Sequence, residues 1–196
     1  ALLGELLAQL PTPPPSVLLG PRIGEDACAI EVPGGVLVAA TDPITLTTQE
    51  IGRFSVIANA NDVAVMGVRP RWFLAVILLP LGTTEAGVRE IFAGMQDSLS
   101  RVGAALVGGH TEVTQAVTQP VVVGQFLGLA RDGRFVSTGG VRPGDVLLQV
   151  GPVPIEGAAV LAHEAADRLT GLDPGVMMAA RGALDDPGIS VVEPAL

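Results

Sequence analysis

A chain of 196 residues with 48% hydrophobic residues, 25 Gly and 16 Pro reads as one packed, turn-rich domain, or as one domain and part of a second, and excludes intrinsic disorder. The 20 acidic residues against 11 basic ones give a net charge of −9, and the basic residues are all Arg. No basic stripe is available for a nucleic-acid backbone, and there is no lysine for a Schiff base, a P-loop or a general base.

The single cysteine, Cys28, leaves no internal disulfide and no cysteine-rich zinc site, in keeping with a reducing cytoplasm. Apolar runs such as 72–79 fall well short of the ~20 residues that cross a bilayer. Residues 2–10 carry leucines at helical spacing without a basic leader, and Pro11 and the 13–15 proline run end that helix.

A glycine- and proline-rich loop follows, containing Glu25 and Asp26 and running into the alternating ACAIEV strand, where Cys28 reads as a core residue. The β-branched stretch 36–41, bounded by Gly34–Gly35 and Asp42–Pro43, predicts a strand. Periodicity then predicts a helix over 51–66, stopped by Gly67 and Pro70, and a buried strand over 72–79. Val88, Ile91, Phe92, Met95 and Leu99 mark a helix from about Thr83 to Arg101, with Gly103 as its stop. A short strand over 104–107 leads into GGHTEV, a long one covers 121–130, and a DG turn joins it to a strand at 135–137.

The order strand, helix, strand, helix, strand, strand predicts an α+β fold with a split βαβ arrangement. A domain boundary is placed near residue 140. Beyond it a strand over 146–150 and helices over about 155–169 and 174–184 read as the start of a second, incomplete domain.

Four polar islands interrupt the apolar background: Gly24–Asp26, Thr41–Pro43, Asn59–Asp62 and Gly108–Glu112. Magnesium takes hard oxygen ligands, usually one or two carboxylates with phosphate oxygens and water, and Asp26, Asp42 and Asp62 offer carboxylates from three elements. Each has a plainer reading as a turn or cap residue. Asn59 and Asp62 are poor helix-interior residues spaced three apart, so they share a helical face; alternatively the helix begins later and Asn61 caps it. Gly108–Gly109 reads either as a close backbone approach to a ligand or as a tight turn. His110 reads as a ligand, a phosphate donor or a packed turn residue, and Glu112 could add a carboxylate. His163 reads as a surface residue of a late helix.

Taken together, GEDACAI, TDPITLTT, NANDVAVMGVRPRWFL and GGHTEVT resemble the aminoimidazole ribonucleotide synthetase (PurM-like) superfamily, nearest its AIR synthase-related, HypE-like branch. The resemblance runs from about Ile23 to Val192. It implies an N-terminal domain whose mixed sheet pairs with a second copy in a homodimer, followed by an α/β C-terminal domain. It also implies ATP held through Mg2+ and transfer of the γ-phosphoryl group to an acceptor. Carried over by position, Asp26, Asp42, Asp62 and Glu112 would be metal ligands. Gly24, Asn59, Asn61, Gly108, Gly109 and Thr111 would line the nucleotide, with Asp62 and His110 as catalytic candidates. Members of the branch carry Asp where this chain has His110. That departure and the lack of Lys keep a second reading open, a nucleotide-sensing or assembly factor without turnover.

Overall fold

A computed structural model describes residues 2–45 and 50–196. In chain order it contains α1 (Leu2–Ala8), β1 (Val17–Leu19), β2 (Ala27–Val32), β3 (Gly35–Ile44), α2 (Ile51–Val65), β4 (Pro70–Leu79), α3 (Glu85–Val102), β5 (Ala105–Val113) and β6 (Val121–Ala130). Then come α4 (Ile155–Glu164), α5 (Pro174–Gly182) and α6 (Val192–Ala195), with short turns of helix at Thr138–Gly140, Ala166–Arg168 and Leu184–Gly188. The Leu46–Thr48 end of the TDPITLTT stretch lies outside the described residues. No helix among those described is long and apolar enough to cross a membrane.

The six strands form one mixed sheet in the order β1-β2-β3-β6-β4-β5. Every neighbouring pair is antiparallel except β4 and β5. Because β6 is antiparallel to both β3 and β4, those two strands are parallel, and α2 is the crossover between them. The expected split βαβ arrangement is therefore present, with α3 as a second crossover from β4 to β5.

Both crossover helices pack on one face of the sheet. Ala29, Val38, Phe73, Ile77, Val122 and Phe126 from the strands meet Val56, Ala60 and Val63 of α2 and Met95 of α3, all buried. The rings of Phe73 and Phe126 lie 4.9 Å apart at 44°, a favourable tilted contact. Cross-strand partners on the other face include Ile30, Leu37, Leu127, Trp72, Leu74 and Val76. Among the described residues no helix covers them, and Trp72 and Val76 stay 37% and 38% exposed.

Local signals explain the helix ends. Thr84 caps α3 by accepting from the Gly87 N–H at 3.2 Å, and Gly103, at φ 70°, stops it as expected.

Three expectations need correction. Gly108 and Gly109 are not in a turn: β5 runs straight through them to Val113, after a bulge that leaves Val107 without a partner on β4. Residues 135–137 form no strand; the Val136 N–H instead donates to the Met66 carbonyl at 2.9 Å, closing the chain over the end of α2. Residues 146–150 form no strand either, since no neighbouring strand offers a ladder, and Val146, Leu147 and Leu148 are 80–86% exposed. Strand β1 was not anticipated.

The helices α2 and α3 approach most closely at Gly52, where a Cβ would overlap the Ile91 carbonyl and its Cα. Gly52→Ala should therefore push the two helices apart and cost about 2–3 kcal/mol. Urea unfolding followed by circular dichroism measures this, and an unchanged midpoint would refute the close packing.

Candidate functional site

The functional geometry starts from a buried amide. Asn59 lies in the middle of α2 and is fully buried. Its Nδ2 donates to the Ser55 carbonyl at 2.8 Å and to the Asp42 carbonyl at 3.2 Å, while its Oδ1 accepts from the Asp42 N–H at 2.8 Å. This ties α2 to β3 through the backbone of Asp42. On the other side of β3, Gly124 of β6 faces Asp42, and any side chain there would overlap the Asn59 amide. Thr41 adds a second tie by donating to the Gly124 carbonyl at 2.8 Å.

Asp62 sits one helical turn beyond Asn59 on the same face, within hydrogen-bonding reach of Asp42. The β2–β3 register pairs Ala27 with Ala40, so Asp26 stands opposite Thr41, just beside them. Three carboxylates, from the bend just before β2, from β3 and from α2, thus lie near enough to feel one another's charge.

Their crowding has an electrostatic signature. Burial, then the charges of Asp42 and Asp26, push Asp62 up to about 6. Burial and the charge of Asp26 also raise Asp42, against a hydrogen bond from Asp62 that lowers it. Both carboxyl groups are thus pushed toward their protonated forms, Asp62 the further. The Oδ2 atom of Asp62 is buried with no hydrogen-bond partner among the described residues.

Glu25, next to Asp26, turns the other way. Its nearly covered carboxylate accepts from the backbone N–H groups of Thr138 and Gly139, both at 3.3 Å, and from Arg22 at 3.3 Å. Burial pulls its pKa upward, but these donors outweigh it and hold the group below the usual range. Thr138 also donates to the Gly24 carbonyl at 2.7 Å, so Gly24, at φ 88°, belongs to a pinned turn.

Other expected site residues lie elsewhere. Asn59 is fully buried, with both amide hydrogens given to Ser55 and Asp42 and its oxygen accepting from Asp42. Asn61 is likewise occupied: it donates to the Ile189 carbonyl at 2.8 Å and accepts from the Val191 N–H at 2.9 Å. Gly109 lies in the same cross-strand row as Asp42, but β6 and β4 intervene, a separation of roughly 14 Å at the usual strand spacing. A Cβ at Gly109 would overlap the Ala75 backbone, so close strand pairing alone requires glycine there. Thr111 shares that distant strand.

Alternation places Gly108, His110 and Glu112 on the open face, paired in register with Leu74, Val76 and Leu78. His110 and Glu112 contact each other at 3.3 Å and face solvent. Within one chain neither joins the three aspartates. Sequence reasoning missed Gly124, although a glycine inside the apolar strand VVVGQFLGLA signals a close approach of something else.

Comparison with known proteins matches "AIR synthase related protein, N-terminal domain" over residues 24–130, more than half of the chain. Carbamoyl dehydratase HypE of Rhodobacter capsulatus is 35% identical over 156 residues, covering 76% of this chain and 45% of that protein. Thiamine-monophosphate kinase of Methanospirillum hungatei is 31% identical over 157 residues, covering 74% and 52%. Selenide, water dikinase of Nitratidesulfovibrio vulgaris is 32% identical over 168 residues, covering 82% and 46%. The chain spans about half the length of these curated relatives. Among solved structures, AaThiL complexed with AMPPCP and TMP superposes with a TM-score of 0.74 at 18% identity, covering 99% of this chain and 59% of that one. The tt0281 structure from Thermus thermophilus gives 0.71 at 26% identity, covering 91% and 58%.

The carboxylate crowding predicts a pH dependence for the metal-free protein. Asp62 is raised from 3.8 to about 6 on folding, so the folded state binds its proton more tightly than the unfolded chain. That stabilisation is fully present below pH ~4 and is lost as pH rises through 6. Urea unfolding in EDTA should show a loss of about 1 kcal/mol between pH 5 and pH 7.5. Asp62→Asn should flatten this dependence and stabilise the protein at pH 7.5; an equal slope in that variant would remove Asp62 as its source.

Proposed function

The chain belongs to the AIR synthase related family, and from that premise we propose that it binds ATP through a divalent cation at Asp26, Asp42 and Asp62 and passes the γ-phosphoryl group to an acceptor. The observation that carries this reading is the buried Oδ2 of Asp62, without a partner among the described residues and set against two further carboxylates. An oxygen-seeking cation is the ligand that would relieve both the missing partner and the mutual repulsion. The donor set fits magnesium, which takes one or two carboxylates and completes its shell with phosphate oxygens and water.

Among the described residues no three His, Cys, Asp or Glu side chains close around an ion unaided. Such a site needs the phosphates to finish it, and that suits a cation arriving with its nucleotide. When bound, the cation would supply charge neutralisation for the triphosphate.

The names of the relatives favour the same chemistry, since a kinase, a dikinase and a dehydratase share this domain. The similarly folded AaThiL was solved with AMPPCP, an ATP analogue. The transfer itself would form a bond from the γ-phosphorus to an acceptor oxygen or other nucleophile and break its bond to the bridging oxygen, releasing ADP. In this chain the carboxylates would orient the phosphates, the Asn59 clamp would hold Asp42 in place, and the pinned Gly24–Asp26 turn would do the same for Asp26. The acceptor, a small molecule or a protein group, is left open by this chemistry.

A homodimer forms part of the reading. The uncovered sheet face carries Trp72, Leu74, Val76 and Leu127, and an apolar face of that kind calls for a cover. A second copy placed there would bring His110 and Glu112 to the subunit boundary. One observation favours the alternative of a nucleotide sensor without turnover: His110 stands apart from the carboxylates within the chain.

Titration calorimetry should detect ATP binding only with Mg2+ present, and Asp62→Ala should weaken it at least tenfold, by the scale of lost metal ligands. Cation-independent binding, or wild-type affinity in that variant, would remove the metal-bridged reading, and single-turnover ADP formation decides between enzyme and sensor. Sedimentation velocity at micromolar concentration should report a dimer; a monomer would remove that part of the proposal.

A further inference from the structure

Asn61 and Asp62 are adjacent in α2 but serve different neighbours. Asp62 turns toward Asp42, whereas Asn61 holds the backbone of the C-terminal segment through the Ile189 carbonyl and the Val191 N–H. That segment is fastened at both ends as well. Arg53 pairs with Asp185 at 2.5 Å and donates to the Leu184 carbonyl at 2.9 Å, and Arg69 pairs with Glu193 at 2.6 Å. Between them Val192 is buried to 1% exposure in the main core. Residues 184–193 therefore form a strap along α2. A cleft of about 210 Å³, lined in part by Arg53, Ser98, Arg101, Leu184 and Glu193, lies between strap and helices, so the strap is not packed on every side.

Positions 59 and 61 are about 200° apart around a helix. Asn59 fastens α2 to β3 on one side and Asn61 fastens it to the strap on the other. A helix held on opposite sides cannot roll about its axis. Rolling is the motion that would misdirect Asp62: a turn of about 20° moves a group ~5–6 Å from the axis by ~2 Å, as far as a metal–oxygen bond is long.

We propose that Asn61 is a positioning residue for the carboxylate site, setting through the strap the angle at which α2 presents Asp62, so that cation binding and strap docking are coupled. This rests on the reading of Asp26, Asp42 and Asp62 as a cation site. Coupling of this kind is reciprocal: the strap tightens the cation site, and the cation tightens the strap.

The test uses Mn2+ alone, with binding followed by electron paramagnetic resonance and strap docking followed by hydrogen exchange at the Val191 amide. In the unaltered protein Mn2+ should bind and slow Val191 exchange. Asn61→Ala should bind Mn2+ about tenfold more weakly at the same stoichiometry, the range typical of lost supporting contacts. Its Val191 exchange should be fast and unresponsive to the ion. Asp62→Asn should lose Mn2+ binding while keeping Val191 as protected as in the ion-free parent.

Should Asn61→Ala not fold, Arg69→Ala loosens the far end of the strap from an exposed position. Removing a positive charge would by itself favour a cation, so weaker Mn2+ binding in this variant, by two- to threefold, isolates the mechanical effect. Unchanged or tighter Mn2+ binding alongside faster Val191 exchange, in either variant, overturns the proposal. Absence of Mn2+ binding to the unaltered protein would instead sink the cation-site reading beneath it.

Discussion

The carboxamide of Asn59 is the contact on which the arrangement depends. It sits in the apolar layer between α2 and the sheet with its carbonyl oxygen and amide nitrogen both engaged, two of its three bonds going to Asp42. A buried amide so satisfied is tolerated at little net cost, but removing a partner leaves groups stranded at about 1–3 kcal/mol each. The clamp therefore joins two scales: it orders the packing of a crossover helix on its strand, and it fixes the backbone beneath an acidic side chain. Gly124 is its silent partner, because the amide occupies the space a side chain would need.

With that frame rigid, the crowding of Asp26, Asp42 and Asp62 can persist. Three acids forced together would ordinarily swing apart into solvent. Here Asp42 is held by its own backbone, Asp26 follows a turn pinned through Glu25, and Asp62 rides on a helix fixed on two sides. Their repulsion raises Asp62 and Asp42 and weighs against the ionised forms in the folded state.

Helical periodicity and breaker residues were enough to read α2 and α3, and apolar runs of strand length were enough to read β4 and β6. Asp26, Asp42 and Asp62 were also legible as acids that interrupt apolar segments, and their charges do act on one another. Contacts with partners far along the chain were not. Asn59 and Asn61 look alike in sequence as polar residues in a helix, yet one bonds 17 residues back and the other about 130 residues ahead. Gly108–Gly109 misled because glycine pairs mark turns more often than close strand pairing, and only the neighbouring Ala75 backbone reveals the second cause. His110 and Glu112 followed that error, since a strand in place of a turn sends alternate residues to the far side of the sheet.

The uncovered sheet face carries an unintended convenience. Trp72 is the only tryptophan and the chain has no tyrosine, so essentially all near-ultraviolet emission comes from one indole lying half in solvent on that face. Whatever settles there changes the polarity around a single fluorophore. The molecule thus carries its own optical gauge of whether that surface is wet or dry, readable without any label.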